Sequence, residues 1–301
     1  MTSQSFKSGF VSIIGRPNVG KSTLINSLVG EKITITSNKP QTTRNTIQCV
    51  HTTDISQIVF LDTPGIVQKH TNKLGKFMDK SSHDAYRGVD AILYVVTPES
   101  YIGKTDQGII ENLSKLKTPV FLVINKIDTI KQQEILPVIE AYKSYPFREI
   151  IPISALKGET NNLIETINAY LEPGPMYFPA DMITDQPEFQ VASEMIREKA
   201  LHHLDQEIPH GIAVEILQMK KRQDKDMVDL HATIFCEKES HKGIIIGKKG
   251  DMLKKIGTEA RLDIETLLGS PINMQIRVKV KKDWRNSDFL LKNFGYRSAP
   301  S

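Results

Sequence analysis

Short apolar runs alternate with amphipathic stretches through the first half of the chain. The runs at 10–14, 46–53, 56–61, 89–96, 119–124 and 149–153 read as strands. Apolar residues at helical spacing over 21–29, 74–87, 105–117, 132–144 and 160–171 read as helices between them. This order predicts an α/β domain over 1–172 with a mixed six-stranded sheet. The short link Thr53–Asp54–Ile55 predicts a hairpin, hence one antiparallel strand on an otherwise parallel sheet. Pro173, Gly174, Pro175, Pro179 and Pro187 then break any helix, so 173–187 is expected to be a linker, partly ordered by Met176, Tyr177 and Phe178.

Beyond the linker the texture changes. An amphipathic helix is predicted over 189–204, with strands at 212–219 and 228–236 around a charged turn. Two helices, 241–246 and 252–268, flank Gly247-Lys248-Lys249-Gly250. In the last strand Ile272, Met274, Ile276, Val278 and Val280 alternate with Asn273, Gln275, Arg277, Lys279 and Lys281. An α+β domain is therefore expected over 188–285, with 286–301 as a C-terminal tail.

Composition narrows the class. A chain of 301 residues has room for two domains. Its two cysteines, Cys49 and Cys236, fall in strand-like runs of different predicted domains, which suggests core packing in a reducing compartment. No apolar run approaches a membrane span, and residues 1–8 lack the apolar centre of a signal peptide, so a soluble, cytoplasmic monomer is expected. The net charge is only +4, but it is unevenly spread. Residues 181–237 carry six Lys/Arg against twelve Asp/Glu, whereas 238–301 carry fourteen against seven. None of the eight histidines sits at metal-ligand spacing, which argues against a zinc site.

The chemistry concentrates in a few strings. Gly15-Arg16-Pro17-Asn18-Val19-Gly20-Lys21-Ser22, followed by Thr23, lies between a strand and a helix and fits a phosphate-binding loop. Backbone N–H groups, the helix dipole and the Lys21 ammonium converge there on one anion. Asn125-Lys126-Ile127-Asp128 follows another buried strand. A carboxylate at Asp128 accepts from both N1–H and the 2-amino group of guanine, whereas adenine would leave that buried group unpaired. Asp62-Thr63-Pro64-Gly65 ends a strand; Asp62 is placed to hold Mg²⁺ through water, and the Gly65 amide to sense a γ-phosphate. Ser154-Ala155-Leu156-Lys157 offers backbone to guanine O6. Gln41-Thr42-Thr43-Arg44 must supply a hydroxyl to the metal beside Ser22, and Thr42 and Thr43 both qualify; Thr43 is the expected ligand.

These motifs in this order resemble the translation-factor-related small GTPases, and their wording resembles the Era-like branch. The resemblance implies GTP/GDP and Mg²⁺ as ligands and hydrolysis of GTP, with Lys21, Thr43 and Gly65 in catalytic roles. Ile66 stands where signalling GTPases carry a water-orienting Gln, so slow intrinsic hydrolysis is expected. The same resemblance suggests K⁺ near Asn18 and the Thr42 region in place of an arginine finger.

The second half resembles a type II KH domain: helix, strand, strand, helix, G-x-x-G, helix, strand. Two glycines let a nucleic-acid backbone approach, Lys248 and Lys249 attract phosphates, and bases lie on an apolar groove near Ile244 and Ile246. Arg277 and Lys279 are expected to add positive charge. A GTPase joined to such a domain resembles the Era family over nearly the whole chain. That likeness implies a small-subunit (30S) assembly factor binding single-stranded 16S rRNA near its 3′ end, with possible contact at the cytoplasmic membrane face. Two alternatives are a tRNA-modifying GTPase, for which the second half shows no paired acid/base or cysteine arrangement, and an RNA- or membrane-binding adaptor that uses nucleotide only for its fold.

Overall fold

A computed structural model describes residues 5–66 and 72–296. The chain divides into two compact units. The first takes residues up to Thr36, from Thr43 onward, and from Met78 to Asp185; the second takes Ser37–Thr42, the stretch ending at Phe77, and everything from Gln186.

The first unit is built on β1 (Lys7–Ile14), β2 (Ile47–Thr52), β3 (Ser56–Asp62), β4 (Ala91–Val96), β5 (Val120–Ile124) and β6 (Ile150–Pro152). Their order is β2-β3-β1-β4-β5-β6, with β2 antiparallel to β3 and every other pair parallel. The predicted hairpin is therefore present. β4 and β5 are buried at every residue, as expected of parallel strands covered on both faces. The helices are α1 (Lys21–Val29), α2 (Lys73–Asp84, of which this unit takes the part from Met78), α3 (Lys104–Leu113), α4 (Gln132–Tyr142) and α5 (Asn161–Tyr170). α2 and α3 end a few residues earlier than the periodicity predicts.

The proline-rich linker is more ordered than its composition suggests, because its backbone finds partners in the first unit. Lys7 and Pro173 form one bridge, Cys49 and Thr184 another. The Val50 amide donates to the Ile183 carbonyl at 2.7 Å. Gln57, fully buried, spends all its hydrogen-bonding capacity here. Its Oε1 accepts from the Tyr177 and Phe178 amides at 2.7 and 3.0 Å, and its Nε2 donates to the Phe178 carbonyl and the Thr52 hydroxyl at 2.8 and 3.1 Å.

The second unit contains α6 (Glu188–His203), β7 (Ala213–Lys221), β8 (Val228–Cys236), α7 (Glu239–Ile246), α8 (Asp251–Leu268) and β9 (Ile272–Val280). The sheet order is β7-β8-β9, with β7 and β8 antiparallel around a bulge at Leu217 and β8 and β9 parallel. Ala192, Ile196, Leu230, Ile234, Ile245, Ile256, Ala260 and Ile264 form its core. Within this unit the buried Arg197 donates to the Thr42 carbonyl and to Glu194.

Past Arg285 the expected tail instead carries a short helix, α9 (Asp288–Asn293). Phe294 packs on Phe235 at 4.9 Å and edge-on to Trp284 at 5.4 Å, and the Trp284 indole donates to the Gly211 carbonyl at 2.9 Å. Burial of these rings stabilises the segment. Residues 297–301 lie outside the described residues. Cys49 and Cys236 are free and buried, and burial pushes both thiols up in pKa, in keeping with core packing.

Replacing Gln57 with Ala strands two linker amides that now have a buried acceptor. The variant should lose about 2 kcal/mol in urea denaturation. Hydrogen exchange at the Tyr177 and Phe178 amides should accelerate; unchanged exchange there would show that Gln57 does not hold the linker.

Candidate nucleotide and RNA sites

The phosphate loop is shaped by what must fit against it. Gly20 sits at φ 97° before α1, and no side chain caps the helix. A Cβ at Gly20 would lie 2.3 Å from Nδ2 of Asn125, so both the left-handed backbone and the close approach require glycine. The uncapped N-terminus leaves amides for an anion. Lys21 is buried, and its Nζ donates to the Gly15 and Arg16 carbonyls at 3.1 Å each. Burial lowers its pKa to about 8, while Asp62 opposes that shift.

Three oxygens from separate elements meet beside Lys21. Ser22 Oγ lies 2.9 Å from Thr43 Oγ1 and donates to Asp62 Oδ2 at 2.9 Å; Thr43 Oγ1 is 3.4 Å from the same oxygen. Asp62 is fully buried and its Oδ1 accepts no hydrogen bond. Burial raises its pKa to about 6, against the lowering effects of Lys21, Ser22 and Thr43. A buried carboxylate oxygen without a donor, flanked by two hydroxyls, fits a hard divalent cation held by oxygen. The two neighbouring threonines differ in their partners. Thr42 Oγ1 donates to the Lys39 carbonyl at 2.6 Å, so Thr43 is the one that joins the cluster.

The base-reading motif is tied to this loop by side chains. Asn125 Nδ2 donates to the Val19 carbonyl at 2.9 Å, and its Oδ1 accepts from the Ala155 amide at 3.0 Å. Lys126, at φ 64°, donates to the Asn18 carbonyl at 2.7 Å. Ser154 Oγ donates to Asp128 Oδ1 at 2.6 Å. Asp128 is exposed rather than buried as expected, because it occupies the rim of a turn after β5. Leu156 is 79% exposed beside it. The Ser154–Asp128 bond has no local sequence signal, because it joins side chains 26 residues apart.

Thr63 Oγ1 donates to the Ile13 carbonyl at 2.8 Å, and the Pro64 carbonyl accepts from Ser82 at 2.8 Å. The Ile66 amide donates to the Gly15 carbonyl at 3.1 Å, which brings Gly65 to the phosphate loop. The Ile66 side chain packs against the apolar cluster of Ile14, Ile92 and Ile124.

In the second unit, Gly247 closes α7 at φ 75°, and a Cβ there would lie 2.7 Å from the Met252 Cβ. Lys248 and Lys249 are exposed, Ile244 is 50% exposed, Ile246 is partly covered, and Ile245 alone of that run is fully buried. The loop and its flanking apolar surface thus come together at the uncapped start of α8, next to Gly250. Arg277 and Lys279 do not join them. Ile276 and Val278 pack against the core with the helices, so the two-residue period sends Arg277 and Lys279 to the opposite face of the sheet.

Comparison with known proteins finds the same two domains. Residues 10–126 match the family model described as 50S ribosome-binding GTPase, and 207–285 match the KH domain. The chain is 60% identical to GTPase Era of Clostridioides difficile, covering 97% of this chain and 99% of the relative. The chain belongs to the Era family of GTPases. Solved Era structures share the architecture. An Aquifex aeolicus Era variant bound to GDP·AlF4⁻ is 41% identical, with a TM-score of 0.92 over 97% of this chain and 99% of its own. Era in complex with MgGDPNP and nucleotides 1506–1542 of 16S ribosomal RNA gives the same identity, TM-score and coverage. The P-loop fold, the KH domain and GTPase activity are therefore those of the Era family.

Asn125→Ala would strand the Val19 carbonyl and the Ala155 amide, each at about 1–3 kcal/mol. GDP affinity should fall on the order of a hundredfold in a fluorescent-GDP titration. An unchanged affinity would show that the two loops do not depend on this bridge.

Proposed function

We propose that this chain is a small-subunit assembly factor. In this reading its first unit binds and hydrolyses GTP, and its KH domain binds single-stranded RNA at the 3′ end of 16S rRNA, with the nucleotide state setting association with RNA and the 30S particle. The observation that supports this reading is that one chain carries the phosphate loop, the Asn125–Asp128 string and a Gly247–Gly250 loop, and aligns along 97% of its length with an Era bound to MgGDPNP and 16S RNA.

The residues divide the work. Amides of Gly15 to Lys21 and the Lys21 ammonium bind and orient the phosphates. Ser22, Thr43 and, through water, Asp62 would hold Mg²⁺, which when bound neutralises charge between the β- and γ-phosphates. Thr43 and the Gly65 amide report the γ-phosphate, so their segments are the ones released by hydrolysis. Asp128 selects guanine, and O6 falls to the Leu156 backbone, because the Ala155 amide is committed to Asn125 Oδ1. Ile66, committed to the apolar cluster, cannot orient water, which supports slow intrinsic turnover. A monovalent cation near Asn18 would supply the missing charge; equal turnover in K⁺ and Na⁺ would exclude it.

Lys248 and Lys249 carry the RNA contact in this reading, and Arg277 and Lys279 stand outside it. Lys248→Glu/Lys249→Glu should weaken single-stranded RNA binding at least about tenfold and flatten its salt dependence by roughly 0.7 per lost phosphate contact. GDP affinity should stay as in the parent. Arg277→Ala/Lys279→Ala should change RNA affinity less. Equal RNA binding by the parent and the double-glutamate variant in filter binding would refute the assignment.

A further inference from the structure

Arg16, the second residue of the phosphate loop, is held from behind. Its Nε lies 3.0 Å from Oδ2 of Asp106 in the first turn of α3, and its Nη2 stands 3.8 Å from Glu99. Asp106 is only 2% exposed. Its other oxygen accepts from the Tyr94 hydroxyl at 2.6 Å, and Tyr94 is fully buried in β4. A buried carboxylate is costly unless a counter-charge and hydrogen bonds compensate it, and Arg16 and Tyr94 provide one of each. At its other end Arg16 offers its carbonyl to Lys21 Nζ at 3.1 Å. A continuous series therefore runs from β4 through α3 into the loop: Tyr94, Asp106, Arg16, Lys21.

We propose that Asp106 and Tyr94 are positioning residues for nucleotide binding, acting through Arg16 to hold the phosphate loop in its binding curvature. Asp106 meets the loop at the Arg16 side chain, and Tyr94 meets Asp106. A loop already held in shape loses less conformational freedom when the ligand arrives, so the pair strengthens binding of GDP and GTP alike. An effect on ground state and transition state together appears in KM and not in kcat. A purely structural ion pair would lower the melting temperature and leave KM unchanged well below it. The inference concerns nucleotide binding alone and does not depend on the RNA reading.

The test uses the full chain with Asp106→Asn, Tyr94→Phe, Arg16→Ala and the Arg16→Ala/Asp106→Asn double variant. GDP dissociation is followed by fluorescent-nucleotide chase, and GTP turnover at steady state. Asp106→Asn should release GDP about tenfold faster and raise KM for GTP by a similar factor, with kcat within about twofold of the parent. Tyr94→Phe should do the same at about threefold. The double variant should match Arg16→Ala within about twofold, because both substitutions break one pair. Unchanged GDP release would overturn the proposal, as would a loss confined to kcat. Slower release from Asp106→Asn would also overturn it, since Arg16 would then be binding phosphate once freed. Should Asp106→Asn fail to fold, Tyr94→Phe decides alone, because it removes a single oxygen.

Discussion

The Asn125 carboxamide joins the two halves of the nucleotide site. One side chain, almost fully buried, donates to the carbonyl of Val19 in the phosphate loop and accepts from the amide of Ala155 in the last loop of the sheet. It carries no charge and contacts no catalytic oxygen. It nevertheless fixes the separation between the point where phosphate is held and the point where a base is read. A site built from loops after β1, β5 and β6 needs such a brace, because the strands set only the positions from which the loops depart. Lys126 on Asn18 and Ser154 on Asp128 repeat the device on either side.

The metal corner follows a different logic. Ser22, Thr43 and Asp62 come from a helix, a loop and a strand end, and they close on one another within hydrogen-bond range. Burial drives the Asp62 carboxyl toward its neutral form, while Lys21 and the hydroxyls pull it back. Such a balance suits a residue whose charge is required when a divalent cation and phosphate arrive. Ile66 leaves the chemistry to backbone and ligand, since its side chain packs on the core.

Much of this was legible in the sequence. Every predicted strand and helix exists, because parallel strands buried on both faces read as unbroken apolar runs and the helices between them keep a clean period. The phosphate loop, the base-reading string and the metal-side aspartate were legible for the same reason: their chemistry demands fixed residue types at fixed distances from a strand end. Other features depend on tertiary contacts with no local pattern. The order of the proline-rich linker rests on Gln57, a polar residue inside a strand, where one buried amide side chain offsets many chain-breaking residues. The helix past Arg285 rests on aromatic burial against Phe235. Arg277 and Lys279 show the opposite case. Their charge was plain, but only the strand's period, read against the packed neighbours Ile276 and Val278, shows that they face away from the Gly247 loop. Asp128, expected to be buried, is exposed, because it lies in the short turn after β5 and not in the strand.

The central claim is that one pocket reads both phosphate and guanine. Titration calorimetry of GDP and ADP into the full chain with Mg²⁺ tests it most directly. The account predicts that GDP binds tighter than ADP by roughly four orders of magnitude, the discrimination expected when a polar reader is left unmatched. Comparable affinities would contradict it and would separate the anion cradle at Lys21 from the reader at Asp128.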